Sequence, residues 1–371
     1  MGGAAIAVRA GSVLVGEGLD VEFDKCIWVR DGYIESIEGY GSCPQDSIGG
    51  GDTIVMPQTS NAHVHSADNL WPEMGVDQPL RSLVSQPQGL KHRLLETVDP
   101  SLLVEGIRSF YTLAWRLGTG LLVDFREGGG AGCRLARKAL DGVPRGLEVI
   151  LLGRPGPGWP EHCDGLGLSS VVDYSEEDLR AATSLGWGVR ATHIAEEPLV
   201  RAQGDLDIAL KMGFNVLVHG THLSSDDLEL VKSRGASLVM CPRSNMWHGV
   251  GLPPIDEAIK SGVRFALGTD NAAWTPPDIM AEAYTALLVA RLRGYKGGGY
   301  PILKSVLIDG YRIFGREPRI VEEGRRAYFI IYHAPLSGIR RSRDPYSGII
   351  KRVGTGILYA RVDGGVVSRL V

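Results

Sequence analysis

The chain has 371 residues, 44% of them apolar and 22% charged, with a formal net charge of −4 at pH 7. These values are typical of a soluble globular protein, and although the chain is longer than a typical single domain, α/β barrels routinely reach this length as one unit. The negative charge argues against a general role in binding nucleic acid or a membrane surface. Since the chain shows no signal peptide and no membrane-spanning segment, we expect a cytoplasmic location.

The cysteines give a second indication of compartment. They are Cys26, Cys43, Cys133, Cys163 and Cys241. Their number is odd, they are scattered along the chain, and none forms a C-x-x-C motif. This pattern predicts buried or free thiols in a reducing compartment.

Both ends of the chain alternate short apolar and polar stretches. Turn residues such as Asp31-Gly32 and Asp363-Gly364 separate these stretches. Such a pattern is typical of short strands joined by hairpin turns. It predicts a small composite β domain built from residues 1–54 and 318–371, with residues 55–317 forming a separate domain.

Strand-like apolar runs alternate with helical stretches in the middle of the chain. The predicted strands are 54–63, 121–126, 148–153, 166–172, 188–193, 215–219, 237–241 and 263–268. The predicted helices include 102–117, 179–185, 228–233, 256–261 and 279–292. Eight strands alternating with helices predict a (β/α)8 barrel. The stretch 66–100 has little periodicity, which is typical of a functional loop, although its action as a lid is left open.

Two histidines, His63 and His65, stand two residues apart at and just beyond the end of the first predicted strand. Because side chains on a strand alternate between its two faces, both imidazoles point to the same side and can share one metal ion. Imidazole is the commonest protein ligand for zinc and similar metals. The pair alone is a weak signal, since such spacing is also found incidentally.

Three further polar residues fall at or just after the ends of predicted strands. His193 ends the fifth strand, His219 ends the sixth, and Asp270 follows the eighth. In α/β barrels the chemistry lies at the C-terminal ends of the strands. A histidine at one strand end is often a core residue bonded to a carbonyl, but the joint placement favours a metal site. Three imidazoles and a carboxylate suit zinc or iron and leave room for a water.

Glu196 lies one short loop beyond His193. A carboxylic acid beside a metal, but not bound to it, can move a proton from the activated water to a leaving amine. The alternative is that Glu196 caps a helix or lies at the surface, because Glu197 and Pro198 look like a helix start. We favour the catalytic role.

Taken together, these segments resemble the amidohydrolase superfamily, specifically its cytosine-deaminase-like and chlorohydrolase-like branch. The similar segments are 56–65, 193–196, 218–223, 241–245 and 267–271. They resemble the first, fifth, sixth, seventh and eighth barrel strands of that branch. The resemblance covers most of the chain, and it implies that the two terminal segments form a composite β-sandwich.

The resemblance also implies a ligand set. His63, His65, His193 and Asp270 would hold one divalent metal ion per chain, zinc or alternatively iron. Members of the superfamily with two metals bridge them with a carboxylated lysine or a glutamate. This chain has no lysine between residues 138 and 211, so we expect a mononuclear site unless another carboxylate takes the bridging position.

Three residues receive catalytic roles from the resemblance. Asp270 would act as general base while metal-activated hydroxide attacks an sp² ring carbon. Glu196 would protonate the ring nitrogen or the leaving group, and His219 would stabilise the tetrahedral intermediate.

Basic, amide and aromatic side chains at the predicted mouth of the barrel are candidates for substrate binding. They are Lys91, Arg126, Arg154, Arg243, Asn245 and Trp274. Guanidinium groups bind carboxylate or phosphate through two parallel hydrogen bonds, so we expect a small-molecule substrate with a remote anionic group. The alternatives are salt bridges at the rim for the arginines and core packing for the tryptophan.

The leading functional interpretation is hydrolytic deamination of an amino-substituted N-heterocycle, with release of ammonia. A hydrolase that opens the ring of a cyclic amide or imidazolone would use the same metal and is the alternative among enzymes. A catalytically silent relative that keeps the barrel is a less favoured third interpretation. A homodimer is expected only from the family resemblance.

Overall fold

The computed structural model describes residues 5–86, 88–155, 161–335, 338–354 and 356–371. The strands are β1 (Ile6–Val15), β2 (Asp20–Arg30), β3 (Tyr33–Gly39), β4 (Ile48–Pro57), β5 (Thr59–His65), β6 (Thr119–Arg126), β7 (Glu148–Gly153), β8 (Gly165–Leu168), β9 (Arg190–Ile194), β10 (Val216–His219), β11 (Ser237–Met240), β12 (Phe265–Leu267), β13 (Asp270–Asn271), β14 (Tyr328–His333), β15 (Ile357–Asp363) and β16 (Val366–Arg369). The helices are α1 (Leu80–Val84), α2 (Leu90–Thr97), α3 (Pro100–Arg116), α4 (Gly129–Leu140), α5 (Glu176–Thr183), α6 (Pro198–Ala202), α7 (Asp205–Lys211), α8 (Ser225–Ser233), α9 (Pro242–Trp247), α10 (Ile255–Ser261), α11 (Ile279–Leu292), α12 (Tyr300–Lys304), α13 (Gly310–Ile313) and α14 (Pro345–Val353).

Parallel strands form a closed barrel in the middle of the chain. Their order is β12-β11-β10-β9-β8-β7-β6-β5-β13. β12 and β13 are successive segments of the eighth strand, and β13 pairs with β5 through Asp270 and Val64. This pairing closes the ring of eight strands, so the predicted (β/α)8 barrel is confirmed.

The barrel closes at Gly268, between β12 and β13. A Cβ atom at this position would lie 2.6 Å from the Cβ of His63 and 2.8 Å from its backbone nitrogen. Glycine is therefore required for the close approach of the two strands. The contact that closes the barrel also fixes the backbone that carries His63.

The two ends of the chain meet in a separate mixed sheet. Its strand order is β16-β15-β14-β4-β1-β2-β3, and β4 lies between β1 and β14. The sheet has an apolar core of its own. Buried Arg361 on β15 joins it to the barrel by donating to the carbonyl groups of Trp115 and Thr119. The terminal segments thus form the composite β domain that the sequence predicts.

The predicted strand 54–63 is divided between the two sheets. β4 ends at Pro57 in the terminal sheet, and β5 begins at Thr59 in the barrel. Between them, the buried side chain of Gln58 donates to the Val362 carbonyl and to Asp363. The apolar pattern of residues 54–63 does not indicate that the chain passes from one sheet to the other within this segment. β4 therefore continues across the predicted boundary at 54/55, and the domain limits stay a prediction.

The predicted helices agree closely with the structure. A capping box formed by Ser224 and Asp227 begins α8, and α11 has the predicted limits 279–292. The region 66–100, expected to be irregular, contains α1 and α2, and the C-terminal segment contains α14, which the sequence analysis missed. Within the described ranges no helix is long and apolar enough to cross a bilayer.

Four of the five cysteines are paired, which corrects the expectation of free thiols. Disulfides join Cys26 to Cys43 and Cys133 to Cys163, while Cys241 is free and buried. The partners are 17 and 30 residues apart in the sequence. No short motif marks either pair, because only the fold brings the two sulfurs of each pair together.

We expect one reactive thiol per chain in the denatured, unreduced protein and five after reduction, measured by thiol titration. Replacing Cys133 and Cys163 with alanine should lower the free energy of unfolding by about 3–4 kcal/mol, because the bond closes a 30-residue loop. Cys241→Ala is the control, since it removes a thiol without removing a disulfide. Five reactive thiols without reductant would contradict the pairing.

Candidate metal centre and active site

Four imidazoles and one carboxylate converge at the C-terminal end of the barrel. Ligand atoms of His63, His65 and Asp270 lie within 4.8 Å of one another, and so do those of His63, His193 and His219. The rings of His63 and His193 are 4.9 Å apart between centroids. The structure therefore brings together the residues that the sequence analysis placed at strand ends.

Two different backbone features direct these side chains toward the barrel axis. His63 and His65 alternate with Val64 along β5, so both rings face the barrel axis. His219 and Asp270 have φ angles of 69° and 61°, a left-handed backbone that residues other than glycine rarely adopt. Backbone strain of this kind persists where the surrounding structure enforces it, often at functional sites.

In each imidazole, the hydrogen bond made by one ring nitrogen determines whether the other nitrogen is available to a metal at the centre of the cluster. His193 Nδ1 lies 2.8 Å from the Leu168 carbonyl oxygen and donates to it. His65 Nδ1 lies 3.1 Å from Glu127 Oε1. In both rings Nε2 is left as the lone-pair nitrogen. His63 Nδ1 is buried without a hydrogen-bond partner, while its Nε2 is 3.0 Å from Asp270.

Burial sets the charge of the ligands. It lowers the pKa of His63, lowers that of His65 to about 3, and lowers that of His193 well below its usual value. Neutral imidazole is the form that binds metal. Burial alone would raise the pKa of Asp270, but the hydrogen bond with His63 and the nearby imidazoles hold it well below the ordinary range.

This set of donors fits a divalent metal ion. It combines three neutral imidazoles, from His63, His65 and His193, with the ionised carboxylate of Asp270. Nitrogen and oxygen donors of this kind suit zinc and iron. Ser244 donates to the second carboxylate oxygen of Asp270 across 2.5 Å, so the carboxylate is held from two sides.

Glu196 and His219 lie beside this set. Glu196 Oε1 is 3.6 Å from His219 Nε2, and Asn245 Nδ2 is 3.2 Å from His219 Nδ1. The pKa of Glu196 is raised to about 7, mainly by burial; His219 acts to lower it, and the charges of Asp270 and Glu197 act to raise it. Glu196 can therefore hold a proton at neutral pH, which an ordinary glutamate does not.

A cavity of about 70 Å³ opens onto the cluster. Its lining includes Leu80 and Val84 from α1, which cover it from the side of the long first loop. Typical ligand pockets have volumes of roughly 300–1,000 Å³, so α1 restricts the space in this arrangement. A larger groove of about 660 Å³ lies at the N-terminal ends of β11 and β12, away from the imidazoles.

The candidate substrate-binding residues divide into three groups. Lys91, Arg154 and Trp274 line the cavity. Asn245 contacts His219. Arg126 and Arg243 are absent from the described lining, contrary to expectation. Arg126 is 1% exposed, donates to Ser66 Oγ across 3.4 Å and lies 3.6 Å from Asp124, so it belongs to a structural network behind the site.

The guanidinium group of Arg243 pairs with Glu282 and does not line the cavity. Its Nε and its backbone N–H donate to the buried carboxylate of Glu282 on α11. Its Nη2 donates to the carbonyl oxygens of Pro276 and Asp278 at 2.8 and 3.1 Å. Because these partners occupy the guanidinium, Arg243 holds α9 against α11 and does not face the cavity.

The sequence analysis missed two residues that support the site, Ser244, described above, and Glu127. Glu127 follows directly after β6 and is 8% exposed. It contacts His65, and its carboxylate also lies close to Lys91 and Arg154. The sequence analysis assigned Glu127 no role in the site. Its position at a strand end was the available signal.

Comparisons with known proteins agree with this geometry. A model of the amidohydrolase family matches residues 188–367. A protein of Methanothermobacter thermautotrophicus with the provisional name aminohydrolase is 30% identical, over 98% of this chain and 99% of its own length. A 5-methylthioadenosine/S-adenosylhomocysteine deaminase of Halobacterium salinarum is 35% identical, over 87% of this chain and 83% of its own. The structure of an adenosine deaminase from Xanthomonas campestris with bound zinc has the same fold, with a TM-score of 0.77 at 17% identity over 98% of this chain and 92% of that one.

The Arg243–Glu282 pair leads to a stability prediction. Arg243→Met should lower the free energy of unfolding by about 3 kcal/mol, because it leaves a buried carboxylate without its counter-charge. The double variant with Glu282→Gln should recover part of this loss. Chemical denaturation measures both. A raised KM with unchanged stability would instead support the original expectation that Arg243 binds substrate.

Proposed function

The chain belongs to the amidohydrolase family, and from this premise we propose that it hydrolyses an amino-substituted N-heterocycle and releases ammonia. The observation that carries the proposal is the position of Glu196. Its buried carboxyl group lies next to His219 and the candidate metal ligands, where a proton must be delivered during deamination. The names of the relatives support the same reaction class, since one is a deaminase of 5-methylthioadenosine and S-adenosylhomocysteine.

The chain's own groups can divide the proton transfers between them. Asp270 is ionised and can accept a proton from the attacking water. Glu196, whose pKa is raised to about 7, holds its proton in about half of the molecules at pH 7 and can deliver it to the ring nitrogen or to the departing amine. His219, oriented by Asn245, can hydrogen-bond to the oxygen on which negative charge develops. Water and the C–NH2 group are thereby converted to a carbonyl group and ammonia.

We propose one divalent ion per chain, held by His63, His65, His193 and Asp270, with zinc favoured and iron as the alternative. When bound, it would supply Lewis-acid activation of water at neutral pH. The zinc in the Xanthomonas campestris adenosine deaminase, which shares this fold, supports the choice of metal.

Metal analysis should find close to one tightly bound ion per chain. His193→Ala should reduce the metal content strongly, because it removes one of three imidazole ligands. His222→Ala is the matched control, since the ring of His222 contacts the Val250 carbonyl outside the cluster. Two tightly bound ions, or full retention of metal in His193→Ala, would contradict the mononuclear site.

We further propose that the substrate is a small molecule with an anionic group remote from the reacting carbon. Arg154 supports this, because it lines the cavity while Nε and Nη1 of its guanidinium have no hydrogen-bond partner. Unpaired guanidinium nitrogens in a buried cavity suit a carboxylate or phosphate. A cytoplasmic location and a homodimer stay predictions from the sequence.

Ammonia release from zinc- and iron-reconstituted protein tests the proposed reaction. The panel comprises aminopurines, aminopyrimidines and aminotriazines, each also as nucleoside or carboxylated forms. Glu196→Gln should lower kcat about 10²–10⁴-fold through loss of the proton donor. Glu197→Gln is the control for loss of a nearby carboxylate, because Glu197 pairs with Arg81 and is not part of the candidate cluster; it should keep most of the kcat and move the fall in kcat/KM to a lower pH. As Glu196 loses its proton, kcat/KM should fall above a pH of about 7.

The outcomes separate the competing interpretations. Ammonia release by the wild type, lost in Glu196→Gln and kept in Glu197→Gln, supports the deaminase. Silence across the panel with metal bound, together with hydrolysis of a cyclic amide or imidazolone, would favour the ring-opening alternative. Metal-loaded protein that is inactive on both classes would favour a catalytically silent relative.

A further inference from the structure

Glu127 forms the only side-chain contact to the outer nitrogen of a ligand imidazole among the described residues. His65 Nδ1 is 3.1 Å from Glu127 Oε1. His193 instead uses the backbone carbonyl of Leu168, and His63 Nδ1 has no partner. A carboxylate can only accept a hydrogen bond, so the contact requires the proton on Nδ1 and leaves the lone pair of His65 on Nε2.

The same carboxylate oxygen is shared with two cations that face the cavity. Glu127 Oε1 lies 2.6 Å from Lys91 Nζ and 3.4 Å from Arg154 Nη2. Burial alone would raise the pKa of Glu127, but Lys91, Arg154 and the His65 contact hold it well below the usual range. One buried negative charge therefore touches both a metal ligand and the wall of the substrate cavity.

The three side chains that contact Glu127 differ in whether they have another partner. Lys91 has a second partner, because its ammonium group is 2.8 Å from Asp68 Oδ2. Arg154 has no other side-chain partner among the described residues, and His65 Nδ1 has no other acceptor. Loss of Glu127 would thus release the ring of His65 and the guanidinium of Arg154, but would leave Lys91 anchored.

We propose that Glu127 is a positioning residue that couples the metal site to substrate binding. It fixes the ring orientation and tautomer of His65 for metal binding, and it holds Arg154 at the cavity wall for the anionic part of the substrate. The second role rests on the proposed function, whereas the first requires only that the cluster binds a metal.

The test is zinc affinity, measured on metal-depleted protein by competition with a chromophoric chelator. Glu127→Gln should weaken zinc binding about 10–100-fold, the usual effect of losing a partner of a ligand histidine. Cobalt substituted for zinc should show an altered absorption spectrum in this variant, because the orientation of one ligand changes. Asp68→Asn is the matched control: it removes the second carboxylate partner of Lys91, the new amide oxygen can still accept from Asn271, and residue 68 does not contact the His65 ring, so zinc affinity should stay within about twofold.

A second variant keeps the test valid if Glu127→Gln folds poorly. Glu127→Asp retains the charge beside Lys91 but is one methylene shorter, so it should also weaken zinc binding. For an active substrate with an anionic group, both variants should raise KM more than they lower kcat at saturating zinc. Wild-type zinc affinity and an unchanged cobalt spectrum in both folded variants would overturn the proposal. If the wild type binds zinc but deaminates nothing, the proposed function fails, while the affinity measurement still decides the role of Glu127.

Discussion

The pairing of β13 with β5 is the contact on which both the barrel and its site depend. It joins Asp270 to Val64 and Asn271 to His65, and it is the step that closes the ring of strands. The same two segments carry the carboxylate and two of the three histidines of the candidate metal set. A barrel that failed to close here would therefore also lose the convergence of its candidate ligands, so at this pairing the closure of the fold and the geometry of the site depend on the same residues.

Burying this cluster of polar side chains lowers the stability of the fold unless each of them forms a hydrogen bond. Most of them do: Ser244 supports Asp270, Asn245 supports His219, and a backbone carbonyl supports His193. The side-chain atoms left without partners include His63 Nδ1 and two nitrogens of Arg154. Unsatisfied buried polar groups are uncommon in folded proteins. The two nitrogens of Arg154 belong to a side chain that lines the cavity, which is where the anionic group of the proposed substrate would supply acceptors.

Access to the site is set by a segment that contributes no metal ligand. α1 lines the cavity with two apolar side chains, and Arg81 on this helix pairs with Glu197, the neighbour of Glu196. Because both partners are partly exposed, this ion pair is weak and can open without a large free-energy cost. Lys91 on α2 is buried between two carboxylates and is a firmer anchor.

The sequence by itself determined the features that follow from local covalent geometry. A strand period of two placed His63 and His65 on one face, and the alternation of strands and helices placed His193, His219 and Asp270 at one end of a barrel. The tertiary structure decided the pairings between distant residues: the two disulfides, the ion pair of Arg243 with Glu282, and the contact of Glu127 with His65. The backbone geometry of a strand or helix spaces apolar residues regularly along the sequence, so this periodicity can be read without a structure. A contact between distant residues produces no such pattern in the sequence, because only folding brings the two partners together.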